Sequence, residues 1–113
     1  MKKLFIILAV MAVIIGCAEQ HPPQFVQVWK KINKPEEARV ILAKVNTHYL
    51  TESGKAEYGL LKTIVAYKMH RKLENDSLIS ASIDYYNRYG DDWLRSRAYL
   101  YRGIVRMYRF GNI

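Results

Sequence analysis

Asp91-Asp92-Trp93-Leu94-Arg95-Ser96-Arg97-Ala98-Tyr99-Leu100-Tyr101-Arg102-Gly103-Ile104-Val105-Arg106-Met107-Tyr108-Arg109 is the stretch that decides the fold. With successive side chains about 100° apart around a helix, Leu94, Ala98, Tyr101, Val105 and Tyr108 share one side. The apolar arc continues from Ala98 and Leu94 round to Leu100 and Met107, about half the circumference at that spacing. A helix resting on one neighbour needs an arc of little more than about 100°. This helix therefore expects neighbours on two sides, which puts it inside a helical array. Without a second neighbour, Trp93, Leu100, Ile104 or Met107 should stay partly exposed, a patch that favours self-association through residues 91–110. Opposite the centre of the arc, Arg95, Arg102, Arg106 and Arg109 form a narrow basic stripe. It reads first as a solvated face and second as a candidate anion-facing stripe.

Upstream the same period recurs. Gly90 stops the preceding helix, in which Leu78, Ile79, Ile83, Tyr86 and Tyr89 recur at helical spacing after a start at Asn75-Asp76. A longer helix is expected over about 54–73, with Leu60, Leu61, Ile64, Val65 and Met69 on its apolar side. Thr51 or Ser53 is the expected cap, and Asn46 to Ser53 is a polar connection. Pro35-Glu36-Glu37 opens another helix, proline fitting the first helical position and acids the first turn. Ala38, Ile41, Leu42 and Val45 are its buried stripe. Phe25, Val28, Trp29 and Ile32 make the first apolar face, at i, i+3, i+4 and i+7. The expectation is an all-α chain of antiparallel helical hairpins, about five helices joined by short turns.

Before these helices stands Met1 to Cys17, MKKLFIILAVMAVIIGC. Two lysines, an apolar run from Leu4 to Ile15 and a small residue before the cut describe a secretory signal peptide. The run is shorter than the roughly 20 residues a membrane span needs. Cys17 is the single cysteine of the chain, without a disulfide partner, and a free thiol is a liability in an exported protein. Ile14-Ile15-Gly16-Cys17 resembles the lipobox of bacterial lipoproteins. That resemblance implies cleavage between Gly16 and Cys17 and a covalent lipid on Cys17. More than one acyl chain suffices for stable anchoring. Residues 1–16 are then the signal peptide, 17–24 a lipidated start and tether containing His21-Pro22-Pro23, and 25–113 the helical domain.

Within that domain, Ser82, Tyr86 and Tyr89 are spaced as small, large and closing residues at i, i+4 and i+7, and Ala38, Leu42 and Val45 repeat the spacing. Tyr99 and Gly103 follow as an aromatic with a glycine four later. These patterns resemble tetratricopeptide repeats, which stack antiparallel helix pairs. Glu57-Tyr58-Gly59-Leu60-Leu61, Asp76-Ser77-Leu78-Ile79 and Ala98-Tyr99-Leu100-Tyr101-Arg102-Gly103, in that order, are similar to the N-terminal portion of tetratricopeptide-repeat lipoproteins of Gram-negative bacteria. The resemblance implies a peptide- or protein-binding module and a domain incomplete at its C-terminal end. Ala38 and Ser82 lie 44 residues apart rather than the family's roughly 34, so the middle helix is longer than a standard repeat. Tyr89 stands where the family has a small residue.

Composition bounds the function classes. A formal charge of +8 suits anionic lipid or an acidic partner, and export argues against nucleic acid. Nine tyrosines suit half-buried helix surfaces. No catalytic constellation is expected: His21, His48 and His70 have no metal-ligand spacing, Ser77, Ser80 and Ser82 lack a nucleophile elbow, and Asp91-Asp92 reads as a cap. Neither a metal nor a cofactor is expected beyond the lipid. The reading is a membrane-anchored lipoprotein of the cell envelope that binds a protein or peptide, with adsorption to anionic lipid as the alternative and an enzyme a distant third.

Overall fold

The computed structural model describes residues 23–71, 73 and 75–110, with side chains as far as Met107. Five helices are packed against one another: α1 (Pro23–Lys30), α2 (Pro35–Ala43), α3 (Glu52–Lys68), α4 (Ser77–Tyr89) and α5 (Asp92–Phe110), with a 3-10 turn at Thr47–Tyr49. No strand occurs among the described residues. The all-helical expectation holds.

Helix starts follow local chemistry. Pro23 and Pro35 occupy first-turn positions, where a missing N–H costs nothing. α1 thereby takes in Pro23 and Gln24, two residues expected in the tether. The Thr51 hydroxyl accepts from Gly54 N at 3.1 Å, making Thr51 rather than Ser53 the cap of α3. Asn75 Oδ1 accepts from Ser77 N at 2.9 Å, and Asp91 Oδ1 accepts from Leu94 N at 3.0 Å. Gly90, at φ 68°, breaks the chain between α4 and α5.

The end of α3 departs from the expected limit at residue 73. His70 takes φ 58°, while Arg71 N bonds Ala66 O at 2.8 Å and His70 N bonds Tyr67 O at 2.9 Å. This pair of reversed bonds closes a helix on a left-handed residue. Because histidine fills the place usually taken by glycine, the sequence carried no visible stop there. α2 similarly ends at Ala43, and Val45 is held half-buried by a bond from its N to Leu42 O at 3.1 Å. Tyr89, placed on the apolar stripe of α4 by its spacing, is instead exposed.

α3 is the hub. It packs on α1, α2, α4 and α5; α2 also packs on α1, and α4 on α5. Adjacent residues of α3 enter different cores. Leu60 and Ile64 enter a core with Ile79, Ile83, Tyr86, Leu94, Ala98 and Tyr101. Leu61 and Val65 enter a second with Phe25, Val28, Ala38 and Leu42. Burying one such side chain contributes roughly 1.5–3 kcal/mol, so a helix filling two cores organises the fold. The α3–α4 approach depends on Gly59: a Cβ there would stand 2.7 Å from Ser82 Oγ and 3.2 Å from Leu78 O. Ser82 Oγ donates to Ala56 O at 2.7 Å, which satisfies a buried hydroxyl at that crossing.

Candidate functional site

α5 covers two faces unequally. Leu94, Ala98, Tyr101 and Val105 are buried against α3 and α4, and Ile104 is half-buried. Trp93, Leu100 and Met107, at i, i+7 and i+14, remain 53%, 53% and 49% exposed. Between them lie exposed Ser96 and Gly103, and a Cβ on Gly103 would meet nothing within 4 Å. The result is a strip of large apolar side chains two turns apart, with small residues in the gaps. Ridges and grooves of this size suit another helix.

One end of the strip is fixed by an aromatic stack. The Trp93 ring lies 5.1 Å from that of Trp29 on α1, at 62°, and the Arg97 guanidinium sits 4.3 Å from the Trp93 centroid. Trp29 Nε1 donates to Glu57 Oε2 at 2.7 Å, and Glu57 is buried on α3. The stack thus ties α1, α3 and α5 together. Burial pushes the phenol of Tyr86 up from its ordinary value, and the carboxylates of Glu57 and Asp91 and the neighbouring Tyr85 push the same way. The Tyr86 hydroxyl has no hydrogen-bond partner among the described residues.

The arginine stripe is drawn into local contacts. Arg95 pairs with Asp92 one turn back. The Arg102 guanidinium lies 5.1 Å from the Tyr99 ring centroid. Arg106 Nε donates to Asp76 Oδ2 at 2.6 Å, joining α5 to the start of α4. That hydrogen bond, and the charges of Arg106 and Arg102, hold the Asp76 carboxyl below its usual range despite slight desolvation. The Arg109 side chain, like Gly16, Cys17 and His21, lies outside what the structure describes. Of the described arginines, Arg102 and Arg106 both act on Asp76, while Arg95 pairs separately with Asp92.

The other singled-out residues have structural occupations. His48 sits beside the Tyr49 ring on the 3-10 turn, and His70 closes α3. Ser82 is spent at the helix crossing, and Asp91 caps α5. Among the described residues no group of three or more His, Cys, Asp or Glu could hold a metal ion. Nor is any described helix long and apolar enough to cross a membrane.

A second surface was not legible in the sequence. Between α2 and α3 lies a hollow of about 300 Å³, floored by Leu42, Val65 and Met69 and edged by Arg39, Lys62 and Arg71. No acidic residue lines it among the described residues. Lys62 Nζ lies 5.8 Å from the Tyr58 ring centroid, one turn away. Tyr58, Lys62, Val65 and Met69 do share a helical face, but Arg39 and Arg71 reach them only through tertiary packing. Comparison with known proteins finds no match: no family model fits the chain, and no curated protein or solved structure is significantly similar.

Proposed function

We propose that this chain is a lipid-anchored, non-catalytic docking module of the bacterial cell envelope, whose α5 strip receives a helix of a protein partner. The observation that carries the reading is the exposed apolar line of Trp93, Leu100 and Met107 on a helix already packed along its other side. Its seven-residue spacing fits the seam of a helix pair. The anchor rests on the signal-like Met1 to Cys17 stretch and its single cysteine. A tetratricopeptide-like arrangement is supported by the order of contacts. α1, α3 and α5 touch in a row, while α2 touches α1 and α3, and α4 touches α3 and α5. Close packing of Gly59 on Ser82, the first small residue of the repeat-like spacing, agrees with it.

A photo-crosslinking side chain at position 100 of the full chain, expressed in a Gram-negative envelope, tests the docking reading. A discrete adduct from position 100, absent from exposed position 49 and lost with Trp93→Gln and Met107→Gln, is expected. An adduct of two copies would reassign the strip to self-association, and no adduct at all would overturn the reading. The anchor is tested by intact mass and detergent partitioning of Cys17→Ala. Retention of the membrane-bound form and of the lipid mass would rule it out. Adsorption to anionic lipid is the second reading, favoured by the basic edge of the α2–α3 hollow. It should fade steeply as salt rises, whereas helix docking on an apolar strip should not.

A further inference from the structure

We propose that the α2–α3 hollow is a second binding site, for an acidic peptide segment carrying one large apolar side chain. The proposal rests on the docking reading for the kind of ligand but uses a different surface. Size comes first. A volume of about 300 Å³ is at the small end of the roughly 300–1,000 Å³ of ligand sites, so it admits a side chain rather than a folded surface. The floor of Leu42, Val65 and Met69 is apolar, and Leu42 and Val65 are buried. Charge comes second. Arg39, Lys62 and Arg71 edge the hollow with no carboxylate in the lining among the described residues.

Arg39 is incompletely satisfied. Its Nη2 reaches Glu36 Oε1 at 3.3 Å, an exposed pair, but its Nε is shielded from solvent and without a hydrogen-bond partner among the described residues. A carboxylate approaching that edge would meet the exposed outer end of the guanidinium, and a guanidinium can bind a carboxylate through two parallel bonds. Lys62 stays near the Tyr58 ring and contributes a point charge one turn along α3. Adsorption to lipid headgroups needs only a basic surface. Here the cations surround an apolar recess, so both properties must meet in one short ligand. A peptide with carboxylates flanking an aromatic or leucine side chain fits.

The test uses the full chain in neutral detergent and a fluorescein-labelled acidic peptide with one central tryptophan, followed by anisotropy. Binding should weaken by about tenfold or more when Arg39→Gln, Lys62→Gln and Arg71→Gln are combined, a typical consequence of removing several facing charges. These side chains lie at the surface, and circular dichroism verifies that the variant is folded. The peptide lacking its tryptophan, and a basic peptide retaining it, should each bind at least about tenfold more weakly. Equal binding by either control would overturn the proposal. So would unchanged binding by the triple variant, or binding to phosphatidylglycerol vesicles without binding to the peptide. Leu100→Gln with Met107→Gln should leave peptide affinity unchanged. If that pair abolishes binding and the triple variant does not, α5 keeps its docking role and the hollow loses its own. Peptide binding at the hollow alongside a failed crosslink at position 100 would separate the two in the opposite direction.

Discussion

α3 and α5 are the two longest helices among the described residues, 17 and 19 residues, and they serve opposite ends. α3 is packed by all four other helices and divides its apolar residues between two cores. α5 lies along α3 and α4, touches α1 through Trp93, and leaves its remaining apolar strip uncovered. Apolar content alone therefore does not reveal what a helix does. The number of neighbours decides whether a leucine is sealed in a core or left facing solvent. Leu60 has no exposed surface, whereas Leu100 is 53% exposed.

Substitution can break this contrast. Leu60→Ala should cost about 3 kcal/mol, in the usual range for emptying a fully buried leucine site. Denaturant melts would measure it, and a loss under about 1 kcal/mol would contradict the central role of α3. Gly59→Ala should cost about 2 kcal/mol, since the new methyl meets Ser82 Oγ and a backbone carbonyl that cannot yield. Ser82→Ala should recover only part of that loss, because Leu78 O remains.

Tyr86→Phe sharpens the comparison where the two helices meet. Removing a buried hydroxyl without a partner should leave stability unchanged or raise it by up to about 1 kcal/mol. The sign of its pH dependence is fixed. The folded-state value is raised, so wild-type stability is not reduced by this phenol below the ordinary tyrosine value and declines as pH rises above it. The wild-type alkaline limb should therefore be steeper than that of Tyr86→Phe in pH-dependent melts. Leu100→Gln, by contrast, should change stability by no more than about 0.5 kcal/mol while removing the proposed docking on α5. A substantial loss of stability would show that the strip is already covered by another part of the protein.

The smallest effect concerns Asp76. Its value is lowered by Arg106, so the contribution is present above the unfolded-state value and disappears as pH falls through the folded-state value. The carboxylate is solvent-screened, and Asp76→Asn should only flatten the acid limb of the stability profile slightly. An unchanged limb would mean that the Arg106 contact does not persist in solution.

Local chemistry made much of the fold legible. Proline at 35, Thr51, Asn75 with Asp76, Gly90 and Asp91 mark boundaries that backbone hydrogen bonding requires, and the 3.6-residue period placed Phe25, Ile64, Ile83 and Ala98 inside. His70 hid the end of α3 because histidine seldom adopts a left-handed turn. The burial of Glu57 was not legible, since nothing nearby in sequence indicates that Trp29, 28 residues away, donates to it. The exposed members of α5 followed from the width of its apolar arc. The basic hollow did not, because Arg39, Lys62 and Arg71 become neighbours only after α2 docks on α3.

Trp29 and Trp93 are the only tryptophans in the chain, and they touch each other. All indole emission therefore arises from a single junction between the first and last described helices, with a carboxylate on one ring and a guanidinium over the other. Release of α1 would expose both fluorophores and dissolve their excitonic coupling while most backbone ellipticity persisted. Fraying of an end and collapse of the whole, which are distinct openings in a protein, would register here on separate optical channels without any attached dye.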